Sequence, residues 1–194
     1  MPLALPVVQA MLQRIRSNWD LGMNGSTSEA GAVEVGDATY EAMREKIAGS
    51  NLDPTTFLAT DYLNHFNEVV MLLEMIPDMP EILEETKEWK PKSYKDHFID
   101  STIADREIAI EAYDAVPTIY KEPFETTIGQ INQTIESAIE HLEQDLGTGN
   151  MDLVRENATT MSRTIQRLMD TASAIIHGSA EALDQSEVDD LLGF

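Results

Sequence analysis

Cysteine is absent from this chain of 194 residues. Disulfides, thiolate metal sites and a cysteine nucleophile are therefore all excluded. Long apolar runs are also missing, because the most apolar stretch, residues 69–76, is interrupted by Glu74 and is far shorter than the roughly 20 residues of a membrane-spanning helix. The first residues place their basic side chains after their apolar part, the reverse of a secretory signal. These features favour a cytoplasmic protein that does not insert into a membrane.

Basic residues are scarce: 13 lysines and arginines stand against 35 acids, and the net charge is −22. Phosphate backbones are bound by clustered Lys and Arg, so the composition argues against nucleic acid as a direct ligand. An anionic membrane surface is disfavoured for the same reason. A basic protein surface, or a site rich in lysine and Mg²⁺, matches this charge better.

Glycine and proline divide the chain into segments with few strand signals, which predicts an all-α protein. Residues 22–36 are small and polar and predict a flexible linker. Asp53 followed by Pro54 is typical of a helix start, and that helix is predicted to continue until Pro77 stops it. The helices predicted in the first part of the chain cover residues 2–20, 38–48, 54–76, 80–89 and 95–115.

The second half carries two stripes of apolar residues spaced by three and four. One stripe begins at Phe124 and ends at Leu146, and the other begins at Val154 and ends at Ile175. Residues 147–150, Gly-Thr-Gly-Asn, form a tight turn between them, which predicts a long antiparallel hairpin. Two helices alone bury both stripes poorly, so a four-helix bundle is expected. Either the N-terminal helices or a second copy of the chain, in a homodimer, would complete it.

The chain is therefore expected to have three parts. Residues 1–52 would hold N-terminal helices and a linker, residues 53–178 a helical bundle domain, and residues 179–194 a second linker and a partner-binding peptide. In that peptide Ser186 can cap a helix. An apolar face and an aromatic anchor follow, which is the pattern of a helix that docks into a groove. The alternative is a terminal turn that folds back on the bundle. The apolar residues of the peptide are Val188, Leu191, Leu192 and Phe194.

This tail resembles the C-terminal peptide of the CheZ phosphatases of bacterial chemotaxis, which ends in a similar Val-Asp-Asp-Leu-Leu pattern before a final Gly-Phe. It is also similar to the N-terminal peptide of the flagellar switch protein FliM. Both of those peptides bind the response regulator CheY, and CheZ is itself a long hairpin that dimerises into a four-helix bundle. The resemblance implies that a CheY-type regulator docks on Val188, Leu191, Leu192 and Phe194. Asp189 and Asp190 would supply charge.

A phosphatase of the CheZ kind needs no nucleophile or cofactor of its own. The regulator holds its aspartyl phosphate beside Mg²⁺, and the phosphatase inserts an amide that orients the attacking water. The family's motif is an Asp followed four residues later by a Gln, and no Asp of this chain has a Gln at that spacing. The nearest pair on the hairpin is Glu140 and Gln144, which are the candidate catalytic residues. The alternative is a solvated helix face with a chance pair; Gln130 and Gln133 are further candidates.

A second kind of chemistry is suggested by the histidines of the first half. Asp61, His65 and Glu68 have the spacing of one helix face, and His97 lies between two aspartates. Such a set could ligate a di-metal centre in a helical bundle. The Glu-x-x-His pairs of ferritin-like proteins are missing, however, and His65 flanks an apolar stripe. His65 is therefore expected to be a hydrogen-bonded residue at the edge of the core.

The sequence pattern thus predicts an all-α protein. The resemblance of its tail implies a chemotaxis accessory protein that binds a CheY-type regulator through that tail and promotes the regulator's dephosphorylation. One alternative is a non-catalytic adaptor or localisation protein that uses the same tail. The other is a helical metal-binding protein whose tail is incidental.

Overall fold

A computed structural model describes residues 37–183 together with Glu187 and Val188. These residues are all-α, as predicted, and contain no strand. Every helix within the described part of the chain is too short or too polar to reach across a bilayer. The helix expected over residues 2–20 and the linker expected over residues 22–36 lie outside this part. The helices are α1 (Asp37–Lys46), α2 (Asn64–Met75), α3 (Ile82–Thr86), α4 (Tyr94–Asp100), α5 (Arg106–Ala112), α6 (Thr118–Thr148) and α7 (Met151–Ile176).

Two compact units divide the chain. The described residues 37–183 belong to the larger unit, and Glu187 and Val188 belong to the other. Helix α1 therefore belongs to the unit that contains α6 and α7. The expected boundary between residues 52 and 53 stays a prediction.

The two longest helices, α6 and α7, form the predicted pair and pack against each other more extensively than any other described helices do. Gly149 closes α6 with a left-handed φ of 73°, a conformation that glycine adopts without steric cost. Asn150 then caps α7, since its side chain accepts a hydrogen bond from the Leu153 backbone N–H at 3.3 Å. Helix α6 begins at Thr118, six residues before the first residue of the predicted stripe.

The predicted stripes supply much of the core of the larger unit, although Ile139 and Leu146 are only half-buried. The most buried side chains of the stripes are at most 1% exposed, and each contributes roughly 1.5–3 kcal/mol by leaving water. Helix α2 packs on both α6 and α7, so a helix from the N-terminal part of the chain covers the pair. Dimerisation stays a prediction. The large stripe residues with this burial are Phe124, Ile131, Ile135 and Leu142 on α6, and Val154, Ile165, Leu168 and Ile175 on α7.

The predicted helix start at Asp53 and Pro54 is wrong. The Asp53 carboxylate instead accepts hydrogen bonds from the backbone N–H groups of Thr55 at 2.8 Å and Thr56 at 3.1 Å, which makes a turn. Phe57 follows with a left-handed φ of 65°, and such a residue cannot continue a helix. Its ring is fully buried and lies 4.7 Å from the ring of Tyr40. That burial offsets the backbone strain, and α2 begins only at Asn64.

The single helix predicted over residues 95–115 is two helices, α4 and α5. Ser101 separates them with an extended backbone, φ −85° and ψ 162°. Its hydroxyl donates to the Phe98 carbonyl at 3.0 Å and accepts from the Ile103 N–H at 3.4 Å. A serine that satisfies nearby backbone groups in this way competes with the helix. The helix predicted over residues 80–89 is present but shorter, since α3 covers only Ile82–Thr86.

Thr56 ties the turn after α1 to the end of α7, and this tie should be measurable. Its hydroxyl is fully buried and donates to the Ile176 carbonyl at 2.6 Å, one of the last carbonyls of α7 that have no partner within the helix. Thr56→Val keeps the shape but leaves that carbonyl unpaired, and it also removes the acceptor of the Leu58 N–H at 3.3 Å. The loss costs about 1–3 kcal/mol. We expect the Tm, measured by circular dichroism, to fall by about 2–10 °C.

The matched control is the exposed neighbour Thr55. Thr55→Val should leave the Tm within about a degree of the parent protein, because it removes an exposed hydroxyl. Equal Tm values for Thr56→Val and Thr55→Val would contradict the role given to the Thr56 hydroxyl.

Candidate functional site

Glu140 and Gln144 lie one turn apart on α6, and both side chains are exposed. Leu142 and Ala138, on the opposite side of the helix, are fully buried. The pair therefore projects away from the core, as an amide must if it is to enter the active site of another protein. That Gln144 orients the attacking water in a regulator's active site stays a prediction.

The residue beside this pair anchors the short helix α3 to α6. The Glu143 carboxylate forms an ion pair with Lys87 Nζ at 2.5 Å, and the Glu84 carboxylate contacts the same ammonium group at 2.9 Å. Both hydrogen bonds raise the pKa of Lys87, and the one to Glu143 has the larger effect. The ion pair brings a lysine next to the exposed pair, although Lys87 itself is already shared by two carboxylates.

The other glutamines of α6 are placed differently. Gln130 is only 7% exposed, and its side-chain N–H donates to the Leu183 carbonyl at 3.3 Å. This contact holds residues that follow α7 against the middle of α6. Gln133 is half-buried. Burial makes Gln130 inaccessible to a regulator, so we exclude it as a candidate catalytic residue.

Little of the predicted docking peptide lies within the described residues. Glu187 is exposed and Val188 is 3% exposed, and both are helical. Ser186, the expected cap, lies outside the described residues. The remaining docking residues of the sequence prediction lie outside the described part of the chain: Asp189, Asp190, Leu191, Leu192 and Phe194.

The histidines of the first half pack into an aromatic cluster. The His65 ring stacks on Trp89 with 5.1 Å between centroids, and its Nε2 lies 3.1 Å from the Lys90 carbonyl. This confirms His65 as a hydrogen-bonded residue at the edge of the core. The His97 ring lies 6.2 Å from that of His65 and meets the Tyr62 ring edge-on at 5.5 Å.

Burial lowers the pKa of both histidines. The His97 ring lowers the pKa of His65 further, and the Lys92 ammonium does the same for His97. Both effects favour the neutral imidazole over the charged one. Within residues 37–183 and the two described residues of the tail, no three histidine or carboxylate side chains are grouped to hold a metal ion.

A cleft of about 330 Å³ opens between α6 and the loop that precedes α4. We call it the Gly129 cleft. Sequence reasoning missed it, and the signal that could have found it is a glycine in the interior of a helix. Glu125, Gly129 and Asn132 line it from one face of α6, and Lys92 lines it from the loop. Its aromatic walls are Tyr62, Tyr94, Tyr113 and Phe124.

Comparison with family models, with curated proteins and with solved structures finds no match to this chain. The inference of function therefore depends on the chain's own residues. Three features bear on it: the acidic tail, the exposed pair on α6 and the Gly129 cleft.

Proposed function

We propose that this protein binds a CheY-type response regulator through residues 186–194 and promotes its dephosphorylation. The observation that carries the proposal is the tail itself. Val188, Leu191 and Leu192 recur at the spacing of one helix face, and Phe194 adds an aromatic anchor. Acidic residues occupy the positions between them. Such a peptide suits an apolar groove that is rimmed with basic residues.

Charge supports the docking half of the proposal. Residues 179–194 carry five acids and no base, within a chain whose net charge is −22. A regulator surface rich in lysine would attract this segment over a distance comparable with the Debye length of about 8 Å at physiological ionic strength. Attraction of this kind accelerates encounter more than it strengthens the final complex.

The exposed pair on α6 supports the catalytic half. In the proposed mechanism Gln144 enters the regulator's active site, and its amide positions the water that attacks the aspartyl phosphate. Glu140, one turn earlier, faces the same side and would pair with a lysine of the regulator. The regulator's Mg²⁺ would stabilise the charge on the phosphoryl group as it passes from the aspartate to water, with the aspartate carboxylate as the leaving group. This chain supplies position only, so it needs neither a nucleophile nor a metal.

The second candidate is a non-catalytic adaptor that binds the same regulator. One observation favours it: the α6 pair is Glu and Gln, whereas the motif of the family that the tail resembles begins with Asp. The Glu side chain is longer than Asp, so its carboxylate lies farther from the helix backbone. The position of the carboxylate relative to the Gln144 amide therefore differs from that in the family's motif. An adaptor would bind the regulator equally well and leave its phosphate lifetime unchanged.

Stopped-flow binding tests docking, and phosphate release from the phosphorylated regulator tests catalysis. We expect the association rate constant to fall by about tenfold as NaCl rises from low to physiological concentration, because screening weakens steering. Replacing Asp189 and Asp190 together by Asn should lower the low-salt rate and flatten its salt dependence. An association rate that does not change with salt would contradict electrostatic docking. Binding without faster phosphate release would identify the adaptor.

A further inference from the structure

We propose that Gln130 is a positioning residue, which fastens the segment after α7 along α6 and thereby brings a docked regulator within reach of Gln144. We call this segment, residues 179–183, the strap. The role rests on the function proposed above, because it concerns the same docking peptide and the same catalytic amide. It goes beyond that function because it links the peptide and the amide, which lie on separate parts of the chain.

The chain turns away from the axis of α7 as soon as that helix ends. Gly178 has a left-handed φ of 99°, and its N–H donates to the Ile175 carbonyl at 3.0 Å. The Ser179 N–H donates to the Ala174 carbonyl at 2.9 Å, so the helix ends in a Schellman motif. The Ser179 hydroxyl then accepts from the Glu181 N–H at 3.4 Å. These bonds direct the strap off α7 at a defined point.

One buried side chain holds the far end of the strap. Gln130 is 7% exposed, and its side-chain N–H donates to the Leu183 carbonyl at 3.3 Å. Its Oε1 atom is buried and has no hydrogen-bond partner among the described residues. A buried acceptor without a donor is costly, so packing alone favours an apolar residue at this position. The bond to the strap gives the Gln130 amide a use that packing does not.

The fastening point lies back from the end of α7, on the way to Gln144. Because helices rise about 1.5 Å per residue, Gln130 is about 28 Å from the turn at Gly149, measured along the paired helices. Ile176, at the end of α7, is about 40 Å from the same turn. The strap therefore carries the chain back by about 12 Å. Gln144 lies about 21 Å farther along α6 in that direction.

The fastening also halves the free chain that leads to the docking peptide. Leu183 is followed by five residues up to and including Val188, the first apolar anchor, and these reach at most about 18 Å. A loose strap would free ten residues, from Ser179 to Val188. Effective concentration falls with roughly the −3/2 power of tether length, so this doubling lowers it about threefold. A fastened strap therefore raises the fraction of docked regulator that meets Gln144.

Distances between two spin labels test the fastening without any regulator. The chain contains no cysteine, so Glu136→Cys and Gln185→Cys place one label on exposed α6 and one just beyond the strap. We expect a narrow distance distribution. Adding Gln130→Glu keeps the shape of the side chain, removes the N–H donor and sets a carboxylate against the Leu183 carbonyl. This change should broaden the distribution and lengthen its mean by up to about 12 Å, the length that the strap runs back.

Phosphate release from the phosphorylated regulator tests the positioning. In Gln130→Glu, single-turnover release at saturating protein should fall by about threefold or more. The affinity measured by calorimetry, and with it KM, should be unchanged, because the docking peptide is intact. An insertion of five Gly and Ser residues after Leu183 keeps the fastening but doubles the free chain, so it should lower release about threefold as well.

Gln133→Glu is the matched control, since Gln133 is the same residue type on the same helix and is half-buried. It should leave the label distances, the affinity and the release rate unchanged. Far-UV circular dichroism identifies a variant that does not fold. If Gln130→Glu does not fold, Gln130→Met removes the donor without adding charge and takes its place in both experiments.

Two results would overturn the proposal. Unchanged label distances without the donor would show that Gln130 does not fasten the strap. Longer distances with an unchanged release rate, or an insertion without effect, would show that the strap does not position the regulator. A parent protein that does not accelerate release would instead refute the proposed catalytic function, and the label distances would still decide whether Gln130 fastens the strap.

Discussion

Deleting residues 186–194 should abolish binding to the phosphorylated regulator and leave helices α1 to α7 folded. All the apolar anchors of the proposed docking peptide lie in this segment, whereas α1 to α7 lie within residues 37–176. Anchors that fill pockets at the centre of an interface each contribute about 2 kcal/mol or more, so losing several should weaken binding by at least a hundredfold. Calorimetry gives the affinity, and far-UV circular dichroism gives the helical content.

Two controls sharpen this experiment. A synthetic peptide of residues 186–194 should compete with the full chain for the regulator, and a scrambled peptide of the same composition should not. Because Val188 is 3% exposed in the isolated chain, the free peptide should bind at least as tightly as the chain, which must first uncover this side chain. A truncated protein with undiminished affinity would show that docking lies elsewhere.

Gln144→Ala should lower phosphate release from the regulator by about a hundredfold, the loss that misplacing a reacting group commonly causes. The amide contact is made mainly in the transition state, so its removal lowers the rate without loosening the ground-state complex. Tail-mediated affinity should therefore be unchanged. Single-turnover phosphate release at saturating protein, with calorimetry alongside, separates the two quantities.

Gln133→Ala is the matched control, because Gln133 is the same residue type on the same helix. Gln130 is unsuitable, since it is buried and bonded to Leu183 and its replacement would disturb the fold. Glu140→Ala removes a charge that would face a regulator lysine, so it should affect affinity and rate together. Equal small effects of the substitutions at Gln144, Gln133 and Glu140 would place catalysis elsewhere. An inactive parent protein would leave the adaptor as the function.

The packed pair of α6 and α7 could be predicted from the sequence because its signals are local. Apolar residues recur every three or four positions from Phe124 onward, and this spacing puts them on one side of a helix wherever the chain folds. Gly149 lies where a left-handed residue must end the first helix, and Asn150 lies where the second needs a cap. Each of these signals is contained within a few consecutive residues.

The helix start at Asp53 and the accessibility of Gln130 could not be predicted, because each depends on contacts with another segment of the chain. Asp53 before Pro54 is by itself a signal for a helix start. The chain forms a turn there instead, because the turn lets the Phe57 ring be buried beside Tyr40, on α1. Gln130 was a candidate catalytic amide from its position in the sequence. In the structure the segment after α7 covers it, and its side-chain N–H donates to the Leu183 carbonyl. Neither outcome is encoded near the residue concerned.

The sequence by itself determined the all-α class, the two long helices and the large negative charge, since composition and periodicity act along the chain. Only the tertiary structure decided which polar groups are exposed, as Gln144 is, and which are buried, as Gln130 is. It also decided that Asn132 should line a cleft walled by rings from segments up to 70 residues earlier in the chain, Tyr62 being the farthest. The physical reason is that exposure and cavities depend on contacts between distant segments, and no local pattern specifies them.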